Sequence, residues 1–239
     1  MRVPNNFVND IIAMRVMPKP DIPAYLTPSY SQCYEDIIVE SMMLAYSRTH
    51  SVQKYVFVEI GANHPVCTSS SFLFKQKYGI PSILVEANPK LIPALNEFRK
   101  PDIVIAAAVV DTDAESVEFF VSENNETSSL DNKFVTIRTP GIKESITVPT
   151  IRIDKVLERS TEYGNKIILS VDVEAYDLPI LKDINWIKYR PLIVIVEPSE
   201  DYQPGSIRDI MQFLTEKNYS LISETAVNLI FINNEEFAK

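Results

Sequence analysis

The sequence predicts an α/β fold in which seven mostly parallel strands form one sheet, a C-terminal antiparallel hairpin closes it, and a β insertion lies around residues 108–150. Three observations support this prediction. Short apolar runs alternate with segments of helical periodicity from residue 55 onward, as in strand–helix–strand units. Several of these runs end at an acidic residue. The last two runs are separated by only three residues, which is too short for a crossover helix.

The N-terminal part of the chain differs from the rest. Residues 1–30 contain five prolines and little periodicity, so we expect an irregular arm there. Residues 31–239 are expected to form a single domain, since α/β domains of this length are common. A first helix is predicted from Glu35 to Tyr46, where apolar residues recur at helical spacing.

The remaining elements follow from the same periodicity. Strands are predicted at residues 55–60, 82–86, 103–107, 167–172, 192–197, 219–223 and 227–232. Helices are predicted at residues 67–78, 89–98, 177–187 and 205–217. Asn88 is expected to cap the second of these helices, with Pro89 at its first position. Alternating segments at residues 116–121 and 146–148 indicate the inserted strands or hairpin.

The composition limits the classes of molecule that the protein is expected to bind. The chain has 239 residues, 46% of them hydrophobic, and a formal net charge of −9. Because nucleic-acid backbones require clustered Lys and Arg, we expect no nucleic-acid partner. Cys33 and Cys67 fit neither a metal-ligand spacing nor a disulfide framework, which favours a reducing compartment. Without a signal peptide or membrane span, a cytoplasmic monomer or homodimer is expected.

Acidic residues mark the carboxyl ends of the predicted strands, which is where ligands bind in open α/β sheets. These acids are Glu59, Glu86, Asp172 with Glu174, and Glu197. Glu86 ends the second strand, where its carboxylate is expected to accept hydrogen bonds from two ribose hydroxyls. Gly61 lets the first turn approach a ligand closely, and the Asn63 amide can donate and accept beside it.

The first turn distinguishes between nucleoside cofactors. It holds one glycine, Gly61, followed by Ala62, Asn63, His64 and Pro65. A dinucleotide site needs three glycines so that a helix N-terminus can hold the pyrophosphate. S-adenosylmethionine carries no phosphate, so this turn favours it over the alternative of a nicotinamide cofactor and an oxidoreductase.

An acid beside the cofactor can act as a base that takes the proton of a substrate hydroxyl. Asp172 and Glu174 are the first candidates, one as base and the other orienting the acceptor; cofactor positioning and helix capping are their alternatives. His64 is a second candidate base. Together with Glu197, the two acids offer oxygen ligands to a divalent cation, although such an ion is not expected.

The order and spacing of several blocks resemble the FkbM family of S-adenosylmethionine-dependent methyltransferases. The similarity covers about five-sixths of the chain, from Ser31 to Phe231. Its blocks are Ser31-Gln32-Cys33-Tyr34-Glu35-Asp36, Val58-Glu59-Ile60-Gly61-Ala62-Asn63, Leu84-Val85-Glu86-Ala87-Asn88-Pro89, Ser170-Val171-Asp172-Val173-Glu174 and Ile193-Val194-Ile195-Val196-Glu197. The chain departs from the family pattern at Ala175, where glycine is usual, and keeps an acid at Asp177.

The resemblance implies a Rossmann-like class I methyltransferase fold and transfer of a methyl group to an oxygen of a small molecule, often a sugar. It implies a cofactor site formed by Ser31, Gln32, Glu59, Gly61, Ala62, Asn63, Glu86 and Ala87. For Ser31, capping of the first helix is the alternative role. For the whole chain, the alternative is a non-catalytic binding or scaffold protein that retains the fold.

Overall fold

The structure of the protein, a computed structural model, describes residues 28–50, 53–138 and 142–238. The predicted arm lies outside the described residues except for residues 28–30, so it stays a prediction. Tyr30 packs edge-on against Phe72, with ring centroids 4.8 Å apart, and its amide donates to Asp36 at 2.6 Å. Tyr30 is therefore held against the rest of the protein by these two contacts.

Strands and helices alternate along most of the described chain. The strands are β1 (Tyr55–Ile60), β2 (Ser82–Glu86), β3 (Ile103–Ala106), β4 (Ala108–Val109), β5 (Ser116–Ser122), β6 (Ile142–Ile151), β7 (Lys166–Val171), β8 (Ile193–Val196), β9 (Tyr219–Glu224) and β10 (Leu229–Asn233). The helices are α1 (Glu35–Thr49), α2 (Phe72–Tyr78), α3 (Ile92–Phe98), α4 (Asn132–Arg138), α5 (Ile153–Ser160), α6 (Asp177–Asp183), α7 (Ser206–Glu216) and α8 (Asn234–Phe237). None of the helices in these ranges combines the length and apolarity needed to cross a bilayer.

Seven strands form the main sheet in the order β3-β2-β1-β7-β8-β10-β9. The pairs from β3 to β8 are parallel, whereas β10 is antiparallel to both β8 and β9. The predicted mostly parallel sheet with a C-terminal antiparallel hairpin is confirmed. The strand order reverses direction between β1 and β7, so a crevice is expected outside the carboxyl ends of these strands.

The insertion forms a separate three-stranded sheet in the order β4-β6-β5. β6 runs antiparallel to β5 and parallel to β4, which confirms the predicted β insertion. Helix α4 also lies within this insertion, and it is not among the helices predicted from the sequence.

Both faces of the main sheet are buried. Val56, Val58 and Ile60 point to one face, in a cluster with α5, α6 and α7, whereas Phe57 points to the other face, against α1 and α2. Side chains alternate along a strand, so a strand covered on both sides reads as a continuous apolar run. This explains why β1 was recognisable from sequence.

Four helices differ by three or more residues from their predicted bounds. α1 continues past Tyr46 to Thr49. α2 begins at Phe72 rather than residue 67, because Ser69–Ser71 instead turn inward to bond Glu59. α3 begins at Ile92, because the Asn88 side chain accepts from the Lys90 amide at 3.1 Å in a separate turn. α6 ends at Asp183, and the extended backbone of Ile184 breaks it. α5 was missed, although its buried positions 153, 156, 157 and 160 have helical spacing.

Candidate active site

Strand register brings the sequence-predicted acids to one edge of the sheet. Ile60 is paired with both Val85 and Val171, and Val171 is paired with Val196. The residues that follow these partners are therefore neighbours in the order Glu86, Gly61, Asp172 and Glu197. Four segments distant in sequence meet there because parallel strands end at a common edge.

Gly61 is the point where two of these segments touch. Its φ is +84°, and a Cβ at this position would overlap the carbonyl oxygen of Asp172. Glycine is required here for two reasons. It adopts the left-handed backbone without strain, and its lack of a side chain lets the turn after β1 approach the turn after β7 closely.

Gly61→Ala should destabilise the protein by several kcal/mol and disorganise the turn beside Asp172. The matched control is Gly79→Ala: Gly79 also has a positive φ, +65°, but nothing lies within 4 Å of its Cβ position. The control should lose only the strain of about 1–2 kcal/mol expected for a left-handed residue with a side chain. Urea unfolding of both variants measures the difference. Equal losses would contradict the overlap with Asp172.

Glu86 is buried and fixes two turns through its carboxylate. One oxygen accepts from the Asn63 amide at 2.8 Å and the other from the Asn88 amide at 2.7 Å. Burial raises the pKa of Glu86, and the amides of Asn88 and Asn63 oppose that shift. The two backbone amides therefore fix the orientation of this carboxylate. Glu86 also lines a cavity at this edge of the sheet.

Several residues predicted to contact a cofactor lie elsewhere. Glu59 is buried and accepts from Ser71 and from the Ser70 amide at 2.8 Å, and Arg99 lies 3.9 Å away. Ser31 bonds Asp36 in the first turn of α1 at 2.8 Å. Ala62 packs with Leu84 and Leu95. The geometry gives these three residues structural partners instead of a place in the cavity wall.

His64 also lies away from the cavity wall. Its Nδ1 accepts from the amides of Val66 and Cys67 at 3.0 and 2.8 Å, and the ring is buried. These two bonds occupy the acceptor nitrogen with the backbone of its own loop. His64 is therefore a poor candidate for the base, and the expectation of a catalytic role has no geometric support.

Asp172, Glu174 and Glu197 form a compact carboxylate cluster. One oxygen from each lies within 4.8 Å of the others, and all three are partly buried. Alternation along an extended strand would place Asp172 and Glu174 on the same side, but β7 ends at Val171, so alternation does not explain their proximity. A turn in which Glu174 and Ala175 have φ of 57° and 77° folds the chain back instead.

Ala175 has a φ of 77°, in the left-handed region that favours glycine. Its left-handed backbone carries a strain of about 1–2 kcal/mol for a residue with a side chain, but its methyl group packs with Phe134 and Val135. Gln203 also donates to its carbonyl at 3.2 Å. The strained turn therefore persists because surrounding contacts hold it. Asp177 closes this turn by accepting from the Val173 amide at 3.1 Å.

Crowding of the carboxylates favours protonated forms. Burial, and then the charge of Glu197, raise the pKa of Asp172 well above its ordinary value. Burial and the charge of Asp172 raise the pKa of Glu174 to about 9. Burial also raises the pKa of Glu197 to about 7, against the hydrogen bond that Asp172 donates to it. Near neutral pH, Glu197 is thus the member of the cluster poised between its charged and neutral forms.

Stability should fall as the pH rises. Since the folded protein holds protons that the unfolded chain releases near pH 4.5, the stabilisation is complete below that pH and is lost as pH rises through about 7 and 9. We expect Tm to drop by roughly 5 °C or more between pH 6 and pH 9.5. Glu174→Gln, neutral at every pH, should remove the upper part of this drop, while the exposed Glu162→Gln should not. A flat Tm profile in the unmodified protein would contradict the protonated cluster.

The cluster lies at one end of a cavity of about 280 Å³. Of the predicted site residues, Gln32, Gly61, Asn63, Glu86, Ala87, Asp172, Glu174 and Glu197 line it. Apolar side chains from β4 and the insertion also line it, including Val109, Phe119 and Leu130, and Phe119 and Leu130 pack in one cluster with Ala87, the neighbour of Glu86. The loop at residues 124–128 also lines the cavity, so the insertion forms one of its walls.

Arg138 is a cavity residue that the sequence did not reveal. It ends α4, lies 3.6 Å from Asp201, and lowers the pKa of both Glu174 and Glu197 against the larger effect of burial. Among the described lining residues it is the only cation, whereas five are acidic. No motif marks Arg138, since its role depends on how the insertion folds over the sheet.

One family model and two solved structures are similar to this chain. The sequence model of a family described as the methyltransferase FkbM domain matches residues 59–221, and no curated protein sequence matches the chain. Precorrin-6y C5,15-methyltransferase from Geobacter metallireducens GS-15 is 10% identical, with a TM-score of 0.37 over 81% of this chain and 87% of that chain. MtNAS in complex with MTA and tNA is 11% identical, with a TM-score of 0.37 over 83% of this chain and 60% of that chain.

Proposed function

The chain belongs to the FkbM methyltransferase family, and on that premise we propose that it transfers the methyl group of S-adenosylmethionine to a hydroxyl oxygen of a small acceptor, a sugar or glycan-related compound. The observation that carries this proposal is the two-ended cavity. Its apolar part adjoins a fixed carboxylate, and its other part ends in a cluster of three acids.

The chemistry of the lining fits the cofactor. The apolar wall of Val109, Phe119 and Leu130 suits an adenine ring, and the Glu86 carboxylate suits the two hydroxyls of a ribose. When bound, S-adenosylmethionine supplies an electrophilic methyl group on a cationic sulfur. The acidic lining is favourable for such a cation.

The same lining argues against a dinucleotide. A pyrophosphate needs several backbone amides or cations, and Arg138 is the sole cation among the lining residues that the structure describes. One guanidinium leaves two phosphates without the set of cations that they need. A nicotinamide oxidoreductase is therefore disfavoured by the shortage of cations as well as by the glycine count.

Glu197 is the best-supported base in the cluster. Its pKa of about 7 suits a group that takes a proton near neutral pH, whereas Glu174, with a pKa of about 9, is mostly protonated there. Asp172 donates a hydrogen bond to Glu197, which stabilises the carboxylate. We assign proton removal to Glu197, support of that carboxylate to Asp172, and orientation of the acceptor to Glu174.

A divalent cation is the alternative use of the cluster, since its three oxygens lie within 4.8 Å and hard cations prefer such ligands. Shared protons are the simpler account, because bound protons reduce the charge of the cluster without an ion. Under this account, activity is expected to be unchanged by a chelator.

Methyl transfer itself is tested with S-adenosylmethionine carrying a labelled methyl group and a panel of hydroxyl compounds, with and without a chelator. Label should appear on an acceptor oxygen in a product identified by mass spectrometry. Transfer to nitrogen or carbon would contradict the oxygen assignment, and loss of activity with the chelator would favour the cation. Binding of S-adenosylhomocysteine without transfer to any acceptor would favour the non-catalytic alternative.

A further inference from the structure

A second cavity of about 180 Å³ adjoins the carboxylate cluster. It shares Arg138, Glu197 and Val227 with the first cavity. The proposed base therefore belongs to both walls. The last residue of β9, the turn at residues 225–228 and the segment that follows β8 form much of its lining.

The charge of this second cavity is strongly one-sided. Glu197, Glu200, Asp201 and Glu224 line it, and Arg138 is the one cation among its described lining residues. Arg138 lies 3.6 Å from Asp201, so the acid partly offsets its charge. The wall thus presents more negative charge than its single guanidinium balances.

Glu200 is held by the backbone in a position that favours its charged form. The amides of Ile207 and Gly205 lower the pKa of Glu200, donating at 2.9 and 2.7 Å. Glu224 is exposed and lines the same wall. Acidic side chains therefore extend along this wall from the base at Glu197 to an exposed carboxyl group.

Apolar side chains form the rest of the wall. Pro198, Ile207, Ala226 and Leu229 contribute to it. A small ring with one apolar face and polar substituents at its edge would contact such a wall and leave its substituents near the acids.

We propose that the second cavity is the acceptor subsite and that it takes a hydroxyl compound carrying a protonated amine, of the amino-sugar class, in preference to a neutral or phosphorylated one. This inference rests on the proposed function, because it requires Glu197 to face the reacting hydroxyl. An amine placed toward Glu224 or Glu200 would be attracted by the wall, whereas a phosphate would be repelled.

The test uses protein saturated with S-adenosylhomocysteine and titrated by calorimetry with matched sets of sugars. Each set holds a neutral hexose, its 2-amino counterpart and its 6-phosphate. At low salt we expect the amino member of at least one set to bind at least tenfold more tightly than its neutral partner, and the phosphates not to bind. Raising the salt should reduce that preference. Binding of a phosphate as tight as that of the amino sugar, or no binding of any amino member at 10 mM, would overturn the inference.

The Glu224→Gln variant tests whether Glu224 contributes to this preference, and the exposed Glu162→Gln variant is the control. The Glu224 variant should lose at least threefold of the preference for the amino member, and the control should lose none. Unchanged preference in both variants would also overturn the inference. Saturation with S-adenosylhomocysteine is measured first, so a failure of cofactor binding, which would reject the proposed function, is distinguished from a failure of the acceptor class alone.

Discussion

Glu86→Ala should weaken the binding of S-adenosylhomocysteine by about 100-fold or more. A charged acceptor contributes about 1.5–3 kcal/mol per hydrogen bond, and Glu86 is expected to accept from two ribose hydroxyls. The substitution also removes the acceptor for the amides of Asn63 and Asn88, which bond its two oxygens at 2.8 and 2.7 Å. Calorimetric titration of the folded variant measures the loss.

Two further variants are compared with Glu86→Ala. Glu86→Gln keeps the side-chain length and one carbonyl acceptor but loses the charge, so an intermediate loss of about tenfold is expected. The exposed Glu162→Ala should bind normally. Unchanged affinity in a folded Glu86→Ala protein would reject the ribose assignment, whatever the effect on the turns.

Glu197→Gln should lower turnover by a factor of about 10² to 10⁴, the usual contribution of a general base. The affinity for S-adenosylhomocysteine should change little, since the variant keeps the size of the side chain. Asp172→Asn should cost less, because an amide can still donate a hydrogen bond to Glu197 as the protonated Asp172 does. Single-turnover rates with an acceptor from the transfer screen compare the two variants.

The pH profile gives an independent check on this assignment. Turnover should rise with pH through about 7 as Glu197 loses its proton. Because Arg138 lowers the pKa of Glu197, Arg138→Met should move that rise to higher pH. A near-normal rate in Glu197→Gln, or a larger loss in Asp172→Asn, would transfer the role of base to another acid of the cluster.

The parallel sheet was predictable because its strands are buried on both faces. Continuous runs such as 55–60 and 82–86 therefore stand out in the sequence, and the acids that end them mark the ligand edge. The short link before the last strand, three residues as predicted and four in the structure, indicated the antiparallel hairpin because it cannot hold a crossover helix. Glu86, Asp172 and Glu197 could be predicted as neighbours because parallel register determines which residues meet.

The roles of Glu59, His64 and Arg138 could not be predicted, because they depend on side-chain contacts that leave no periodic pattern in the sequence. Glu59 also ends a predicted apolar run, but Ser70 and Ser71 turn inward and occupy its carboxylate. His64 has the chemistry of a base, yet its own loop amides occupy Nδ1. Arg138 reaches the cavity only because the insertion folds over the sheet, a long-range arrangement that no local pattern records.

The central claim is that the turn at Gly61 and the carboxylate of Glu86 hold an adenosyl group at the edge of the sheet. Calorimetric titration of the purified protein with S-adenosylhomocysteine tests it most directly, with NAD titrated in parallel. We expect saturable binding of one S-adenosylhomocysteine per chain and a rise in Tm with its concentration, without either effect for NAD. No heat and no change in Tm with S-adenosylhomocysteine, or preferential binding of NAD, would contradict the claim.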